Sequence, residues 1–559
     1  MARSLTSRFI FLSSSFVLSS QCTLYNRMPA DPTITESTAG PADPSCQPVY
    51  QSKRDHVLAE YRKHTTAHGT AIAKGFYDGE ELRGLDPDFI TLDSEAGENP
   101  QKWTLKRKWT TTAFTAFFCF IPPFASTVFA PALLLVMADL DISDATIGAL
   151  QVSIFLFSFS IGPLFLAPIS ELYGRTIVVH IGNFVFIAFS IGSGFAQTVP
   201  QLSVCRLLAG LGGSASMSIF GGILADIWDL KGRVKASGLI TTGILIGPVL
   251  GPLCGGWMSE RASWRWTCWI PAIAAAVAGV AGFIWMRESY LPVILQRKVR
   301  KARESDPGRN FYTALDLDLD LETPKAPKAS RVLSNAIRPV LYLVLDPVLC
   351  LLSIYYAFVF GELYLLVTTF SEIFSLGYGH SAGFVGVDLL AQGIGCMIGL
   401  IATMKLLDVV YQRQMRSEKG YNPESRLVVA FPGALILTAG LFIYGFTALR
   451  VHFVVPLLGL VTFSLGSVNT LLAIQLYIVD CFEYAASAIA AVGFLRFMFA
   501  GAFPLFGSKL FDTLGVDWGV GLLAFLSLGL GGPFLPLIYI FGKRMRQAGK
   551  ENLRKVAAL

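Results

Sequence analysis

Residues 243–256 read GILIGPVLGPLCGG, and this stretch decides the fold more sharply than any other part of the chain. Its glycines recur every four residues, at Gly243, Gly247, Gly251 and Gly255. Four-residue spacing places them on one face of a helix, where two helix backbones can approach closely. Pro248 and Pro252 lie in the same stretch and can bend that helix. The stretch therefore predicts an apolar helix packed tightly against a neighbour.

The composition around this stretch is that of a membrane protein. Of the 559 residues, 53% are hydrophobic and 15% are charged, whereas soluble domains carry roughly a quarter charged residues. The mean hydropathy is +0.54, and residues 110–174, 176–205 and 339–404 contain neither Lys nor Arg. A helix of ~20 apolar residues crosses ~30 Å of hydrocarbon, so such stretches fit a bilayer. The net charge of +6 is no sign of a nucleic-acid partner, and none is expected.

Apolar segments along the chain predict twelve membrane spans, six on each side of a polar break. They begin near Thr110, Ala145, Thr176, Gln201, Ala236, Trp266, Leu345, Ser381, Val429, Phe453, Ala485 and Gly519. We predict an all-α membrane protein in which two six-helix bundles, residues 109–288 and 340–542, surround a central cavity. The expected partners are a small-molecule substrate and the lipid bilayer, and we favour a monomer.

Basic residues set the expected orientation. The break is rich in them, namely Arg297, Lys298, Arg300, Lys301, Arg303, Lys325, Lys328 and Arg331. Because basic loops stay on the cytoplasmic side, residues 289–339 are expected to form a cytoplasmic central loop, with both termini on the same side. Residues 1–108 are predicted to be a largely disordered cytoplasmic tail, and residues 543–559 a second cytoplasmic tail. We expect the protein in the plasma membrane.

The first residues of the chain raise a separate question. An apolar stretch at 9–18, flanked by Arg3 and Arg8, resembles the apolar region of a signal peptide. The alternatives are a misassigned start codon or an apolar patch in a disordered tail. We favour these alternatives, because the first span requires a cytoplasmic N-terminus.

An internal repeat supports two related halves. The residues after the second span match those after the eighth in order and nearly in spacing, pairing Gly162, Glu171 and Arg175 with Gly399, Asp408 and Arg413. Asp226, which ends the fourth span, likewise corresponds to Asp480, which ends the tenth. Two related six-helix halves are typical of transporters whose halves rock about a central site.

Four stretches resemble the major facilitator superfamily and, within it, the twelve-helix fungal drug:proton antiporter branch. They are ENPQKW at 98–103, GPLFLAPISELYGR at 162–175, RLLAGLGG at 206–213 and the glycine-rich stretch at 243–256. The resemblance extends over nearly everything from residue 98 onward, with Glu171 where many members have Asp. It implies the major facilitator fold, and it implies export of small organic compounds, such as drugs, toxins or secondary metabolites, in exchange for protons. It also implies that the glycine-rich stretch packs against the second half and limits leak.

The candidates for gating and coupling combine residues of these motifs with charges inside spans. They are Gly162, Glu171, Gly174, Arg175, Arg206, Gly247, Pro248, Gly251, Pro252, Gly255, Asp388 and Arg496. Gly and Pro after the second span allow close packing between the halves, and the acid and Arg can form conformation-dependent ion pairs. The alternative for that loop is a solvated ion pair worth at most ~1 kcal/mol. Arg206 either reaches the central cavity or extends to the outer interface.

Four residues are candidates for substrate binding: Ser126, Tyr356, Glu362 and Tyr364. The two tyrosines and Ser126 could line a cavity for flat, apolar compounds, or simply pack. Glu362 departs from the branch, and an acid inside a span is expected to face the cavity rather than lipid. Its role is open between proton coupling, attraction of a cationic substrate and a buried structural pair. Asp346, before Pro347, is expected to cap a helix.

Missing motifs narrow the function classes. The chain has no phosphate-binding loop of the ATP-driven pumps, and its nine cysteines lack the spacing of a metal site. We expect neither a cofactor nor a metal, and we do not expect the chain to be an enzyme. Uptake or facilitated transport of a nutrient or polyamine, and a transport-inactive membrane sensor, remain the alternatives to export.

Overall fold

The structure, a computed structural model, describes residues 57, 86–92, 97–313, 316, 328–415, 423–482 and 485–557. The chain divides into two units, Met1–Leu58 and Ala59–Leu559, and every helix named below belongs to the second. The signal-like stretch at 9–18 lies outside the described residues.

Six long helices form the first half. They are α1 (Leu105–Thr127), α2 (Ala145–Tyr173), α3 (Arg175–Gly194), α4 (Val199–Ile227), α5 (Leu230–Arg261) and α6 (Trp266–Trp285). A 3-10 turn, Ala130–Ala132, and a short helix, Leu133–Asp139, lie between α1 and α2. Asp144 caps α2 by accepting the backbone N–H of Thr146 at 2.8 Å, and the Asp229 carboxylate caps α5 in the same way.

The polar break contains an amphipathic helix, α7 (Leu291–Ser305), whose apolar side chains Val293, Leu295 and Val299 are buried. Beyond it, the chain pairs with residues 86–92. The Ile90 N–H donates to the carbonyl of Tyr312 at 2.8 Å, and the Tyr312 N–H donates to Asp88 at 3.1 Å. Residues 86–92, which lie within the predicted tail, are thus held against the central loop by a short backbone pairing.

The second half begins at the end of the break. Its helices are α8 (Lys328–Leu345), α9 (Pro347–Glu372), α10 (Ala382–Asp388), α11 (Leu390–Met415), α12 (Ser425–Thr447), α13 (Val454–Cys481) and α14 (Ala485–Ala557). A π-helical turn, Ile373–Gly377, follows α9. Asp346 accepts the backbone N–H groups of Val348 and Leu349 at 3.0 Å each, so the predicted helix cap is confirmed.

The helix count agrees with the expected spans. Within the described residues, eleven helical segments are long and apolar enough to cross a membrane. The last of them, Ser487–Leu553, holds two helices joined at Gly515, whose φ of 76° interrupts the helical backbone. The predicted class, an all-α membrane protein of two six-helix bundles, is confirmed. Residues 543–557, expected to be a tail, continue the last helix.

Each half has its own apolar core, and the core of the first half also includes Tyr364, Phe497 and Ala500 of the second. The halves meet where α1 contacts α9, where α2 contacts α8 and α14, and where α5 contacts α10 and α11. We call the end at which α1 begins and α6 ends the proximal end, and the opposite end the distal end. The sequence predicts that the proximal end faces the cytosol.

Candidate functional site

Six side chains from both halves form what we call the central cluster: Ser126, Tyr356, Phe360, Tyr364, Arg496 and Phe497. The Ser126 hydroxyl, on α1, lies 3.1 Å from the Tyr364 hydroxyl, on α9. Arg496, on α14, donates from Nη1 to the Tyr356 hydroxyl at 3.4 Å. The structure thus brings four of the predicted site residues to one place where the halves meet.

Helical periodicity explains why α9 contributes three members of the central cluster. Tyr356, Phe360 and Tyr364 are spaced four residues apart and therefore lie on one face. The Phe360 ring lies 5.4 Å from the Tyr364 ring and 5.6 Å from the Phe497 ring, measured between ring centres. These contacts connect α9 to α14 through aromatic faces.

The chemistry of the central cluster is that of a cation among aromatic rings. The Arg496 guanidinium lies 4.5 Å from the centre of the Phe497 ring and 5.3 Å from that of Phe360. Its Nε atom is buried without a hydrogen-bond partner, and no carboxylate of the described residues forms an ion pair with it. Ring faces stabilise a cation without neutralising it. The cluster therefore offers a positive charge, hydroxyl groups and aromatic surface to a ligand.

Glu362 lies apart from the central cluster. Glu362 lies two residues before Tyr364, so its side chain is turned roughly 200° around α9 from that of Tyr364. Its side chain is 0% exposed, its two carboxylate oxygens have no hydrogen-bond partner, and its polar neighbour is Ser527 of α14. The expectation that Glu362 faces the space between the halves is wrong for this conformation, because its face of α9 packs into the second half.

Arg206 takes neither of the two expected positions. Its side chain is 4% exposed and lies inside the first half, where Nε donates to the backbone carbonyl of Gln151. The guanidinium lies 4.2 Å from the centre of the Phe129 ring and 5.1 Å from that of Phe155. Arg206 therefore ties α4 to α2 and to the chain after α1, rather than reaching the central cluster or extending to the membrane surface.

The glycine stripe of α5 packs against α1, within the first half. A Cβ atom on Gly255 would lie 1.9 Å from the carbonyl oxygen of Val128, and one on Gly251 2.2 Å from Oγ1 of Thr127. A Cβ atom on Gly247 would likewise meet the backbone of α1. The expected packing of these glycines against the second half is therefore wrong, because the stripe faces α1.

The neighbouring face of α5 makes the contact with the second half. A Cβ atom on Gly256 would lie 2.3 Å from the carbonyl oxygen of Ala382, and one on Gly386 2.4 Å from the carbonyl oxygen of Pro252. Pro248 is half-buried in the same stretch. The motif at 243–256 thus has two packing faces, one for each half.

The loop between α2 and α3 carries a network of charges at the proximal end. Arg175 donates to the Ser170 hydroxyl at 2.8 Å and lies 3.4 Å from a carboxylate oxygen of Asp226 and 3.7 Å from one of Glu171. Glu288 accepts the backbone N–H of Arg175 at 2.8 Å. These residues connect the loop to the ends of α4 and α6, all within the first half.

Gly174 is the one residue between α2 and α3, and its backbone explains its identity. Its φ is 110°, a conformation that other residues rarely adopt. A Cβ atom there would also lie 2.3 Å from a carboxylate oxygen of Glu288. Both the turn and the Glu288 contact therefore require glycine.

Gly162 also packs within the first half. A Cβ atom on it would lie 1.9 Å from the Ser214 hydroxyl on α4, so its expected place between the halves is wrong. That contact is made two residues earlier, where the Ser160 hydroxyl donates to the carbonyl of Phe494 at 2.8 Å. Gly162 therefore lets α2 pack on α4, and Ser160 connects α2 to α14.

Asp388 lies at the distal end, at the last residue of α10. Its carboxylate is 2.5 Å from Nδ1 of His380. Nearby, Glu260 of α5 accepts the Ser381 hydroxyl at 2.9 Å and the backbone N–H of Gly383 at 2.7 Å. Glu260 thus joins the distal ends of the two halves, and Asp388 belongs to this region rather than to the central cluster.

Comparison with known families agrees with this arrangement. A profile described as Major Facilitator Superfamily matches residues 113–504. The chain belongs to the Major Facilitator Superfamily. As a member, it is a multi-pass membrane transporter rather than an enzyme.

Relatives within the superfamily resemble the chain over most of its length. Efflux pump radE of Floropilus chiversii is 35% identical over 466 residues, which cover 82% of this chain and 85% of the relative. Efflux pump vrtL of Penicillium aethiopicum is 37% identical over 470 residues, covering 83% of this chain and 92% of the relative. The chain therefore resembles whole superfamily proteins.

A solved structure supports the superfamily fold. The inward open conformation of the xylose transporter XylE from E. coli superposes with a TM-score of 0.55 at 15% sequence identity. The superposition covers 76% of this chain and 96% of XylE. At that identity the likeness concerns the fold alone.

Sequence reasoning missed two members of the central cluster, Phe360 and Phe497, and it missed Glu260, which joins the distal ends of the halves. Phe360 could have been found from its place midway between Tyr356 and Tyr364, and Phe497 from its position next to Arg496. Glu260 gave no signal, because an acid at the predicted edge of the membrane is ordinary. Its partners lie more than 120 residues away, at Ser381 and Gly383.

Proposed function

We propose that the chain is a proton-coupled efflux transporter, an antiporter that exports small organic compounds such as drugs, toxins or secondary metabolites. The observation that carries the proposal is the central cluster, in which Ser126 and Tyr364 join the halves beside an Arg496 without an ionic partner. Two relatives named efflux pumps, at 35% and 37% identity, support export as the direction.

The central cluster favours a particular substrate class. The Arg496 cation attracts an acidic group, the rings of Phe360 and Phe497 stack on aromatic surface, and the hydroxyls orient polar substituents. An aromatic compound with a carboxylate or an ionised phenol satisfies all three. A cationic compound would instead meet like charge at Arg496.

Proton coupling requires an acid that exchanges its proton during the transport cycle. Glu362 and Asp388 are the candidates, since each is a largely buried acid in the second half. Protons entering down their gradient would favour the conformation that releases substrate outside. The partners are thus the substrate, protons and the bilayer. We propose a monomer in the plasma membrane, with both termini in the cytosol.

The test is dye efflux from cells that express the chain. Cells loaded with fluorescein, an anionic aromatic dye, are expected to export it, and an uncoupler is expected to stop export. Arg496→Gln is expected to weaken the apparent affinity for fluorescein roughly tenfold, the equivalent of ~1.4 kcal/mol. Arg496→Lys keeps the charge and is expected to restore part of the affinity.

Three outcomes separate the alternatives. Dye accumulation driven by the gradient would indicate uptake, and equilibration that ignores the uncoupler would indicate facilitated transport. Binding without movement across the membrane would indicate a sensor. Equal export of fluorescein by wild type and Arg496→Gln would remove Arg496 from substrate binding.

A further inference from the structure

A pocket of about 300 Å³ opens at the proximal end of the first half. Four parts of the chain enclose it: residues before α1, the start of α1, the segment after α6, and α7. The lining residues are Gly97, Glu98, Trp103, Arg107, Arg287, Glu288, Ile294, Arg297, Lys298 and Lys301. The lining residues come from two stretches that are distant in sequence, 97–107 and 287–301, so the pocket exists only in the folded chain.

The lining is strongly basic. Five of its side chains are basic and two are acidic. Both acids are engaged, because Glu98 pairs with Lys298 at 2.7 Å and Glu288 accepts the backbone N–H groups of Arg175 and Thr176. Within the described residues, no carboxylate forms an ion pair with Arg287, Arg297 or Lys301. The pocket therefore presents uncompensated positive charge, which an anion would neutralise.

Hydrogen bonds and a stacking contact hold the basic side chains at the floor of the pocket in place. Arg107 stacks 4.0 Å above the centre of the Trp103 ring and donates to the carbonyl of Gly97 at 3.4 Å. Trp103, only 5% exposed, donates to the same carbonyl at 2.9 Å. Lys298 also donates to the carbonyl of Thr91 at 2.9 Å. These contacts connect the floor of the pocket, whereas Arg287, Arg297 and Lys301 are exposed at the rim.

The position of the pocket favours a lipid as the source of the anion. It borders the ends of two membrane helices, α1 and α6, and α7 is an amphipathic helix whose apolar face is buried and whose basic face is exposed. Basic residues directly beside a membrane helix attract anionic lipid headgroups.

We propose that this pocket binds the phosphate-bearing headgroup of an anionic phospholipid in the leaflet at the proximal end. Arg287, Arg297 and Lys301 contact the phosphate oxygens, and Trp103 and Ile294 support the headgroup from the apolar side. Glu288 lies in the pocket wall and also caps α3 beside Arg175. An occupied pocket therefore borders the charge network of the α2–α3 loop. The proposal does not depend on the direction or coupling of transport.

The test uses the purified full chain in nanodiscs of phosphatidylcholine, with and without phosphatidylinositol 4-phosphate. The anionic lipid is expected to raise the thermal unfolding midpoint and to remain bound in native mass spectrometry. The pocket variant Arg297→Gln/Lys301→Gln is expected to weaken lipid binding about tenfold or more. Arg287→Gln, on a different segment, is expected to weaken binding as well and covers the case in which changes on α7 disturb folding.

The matched control removes the same charge outside the pocket. Arg300→Gln/Lys106→Gln changes one residue on α7, where Arg300 pairs with Glu304 at 3.7 Å, and one exposed residue of α1. Near-wild-type lipid binding by this control is expected. Equal weakening by both double variants would overturn the proposal in favour of diffuse surface charge. Equal stabilisation by inorganic phosphate in pure phosphatidylcholine would overturn the lipid as the occupant.

Discussion

The two halves of the molecule share one packing device and differ in another. In both, the second helix packs on the fourth through a glycine: a Cβ atom on Gly162 would meet Ser214 on α4, and one on Gly399 would lie 2.7 Å from the carbonyl oxygen of Leu465 on α13. The repeat detected in the sequence therefore has a structural meaning. Its glycines mark the same helix crossing within each half, rather than a contact between the two halves.

The first and fifth helices of each half show the difference. In the first half, glycines of α5 pack directly on the backbone of α1. In the second half, a Cβ atom on Gly507 of α14 would meet side chains, the nearest being Cγ2 of Thr369 on α9 at 3.0 Å. A backbone contact cannot yield, whereas side chains can adjust. The crossing of α1 with α5 is therefore the less tolerant of the two.

The charge networks at the proximal end also correspond, although not as the sequence indicated. Arg175 begins α3 and pairs with Asp226, which lies near the end of α4. Arg426 lies at the start of α12 and pairs with Asp480, which lies near the end of α13. The counterpart of Arg175 is thus Arg426, whereas the sequence repeat pointed to Arg413, an exposed residue of α11. The connection between α11 and α12 is longer than the single residue between α2 and α3. The sequence repeat therefore matched Arg175 with a residue before this connection instead of the one after it.

The largest effect is expected from adding a single methyl group to the first-half crossing. Gly255→Ala places Cβ 1.9 Å from the Val128 carbonyl, so that α1 and α5 must separate. We expect export to fall below detection and the protein to lose ~3 kcal/mol or more of stability, at the upper end of overpacking effects. Gly507→Ala, against movable side chains, is expected to lose about 1 kcal/mol. Dye efflux and thermal unfolding measure both.

Gly238 provides the matched control on the same helix. A Cβ atom there would meet nothing within 4 Å, so Gly238→Ala is expected to export at the wild-type rate. If Gly255→Ala and Gly507→Ala were equally tolerated, the two crossings would be equivalent and the difference between the halves would disappear.

These glycines show how far the sequence alone could lead. Their four-residue spacing predicted a close helix contact, because periodicity fixes which residues share a face. It could not predict the partner, since α1 and the second half are equally apolar in sequence. Hydropathy likewise predicted the spans. It could not predict which way a charged side chain inside a span faces, because Arg496 lies in the central cluster, whereas Glu362 faces into the second half.

A smaller effect is expected from the paired arginines. Arg175→Gln leaves Asp226 without its cation in a nearly buried place, where the two side chains are 9% and 11% exposed. We expect a stability loss of ~3 kcal/mol and at least a tenfold slower efflux. Arg426→Gln breaks a pair whose side chains are 21% and 22% exposed, and is expected to lose about 1 kcal/mol. The same loss for both variants, measured by thermal unfolding, would make the two networks energetically alike.

The halves also bury opposite charges, and this contrast leads to the subtlest prediction. The first half encloses Arg206, which has a backbone carbonyl and aromatic rings as neighbours. The second encloses Glu362, whose carboxylate oxygens have no hydrogen-bond partner. Aromatic faces stabilise a cation, but nothing comparable surrounds the acid. Arg206 is therefore built to stay charged, and Glu362 is not.

An ionised carboxylate without a cation, with the Ser527 hydroxyl as its polar neighbour, is strongly disfavoured in such a place. Glu362 must hold a proton in this conformation or ionise in another that admits water, which is the behaviour that proton coupling requires. Glu362→Gln keeps the shape and removes titration, so we expect a folded protein whose export no longer responds to the pH difference across the membrane. Efflux at several external pH values measures this. If the variant kept the wild-type pH response, Glu362 would be a structural residue, and Asp388, already paired with His380 at the distal end, would become the acid to test by Asp388→Asn.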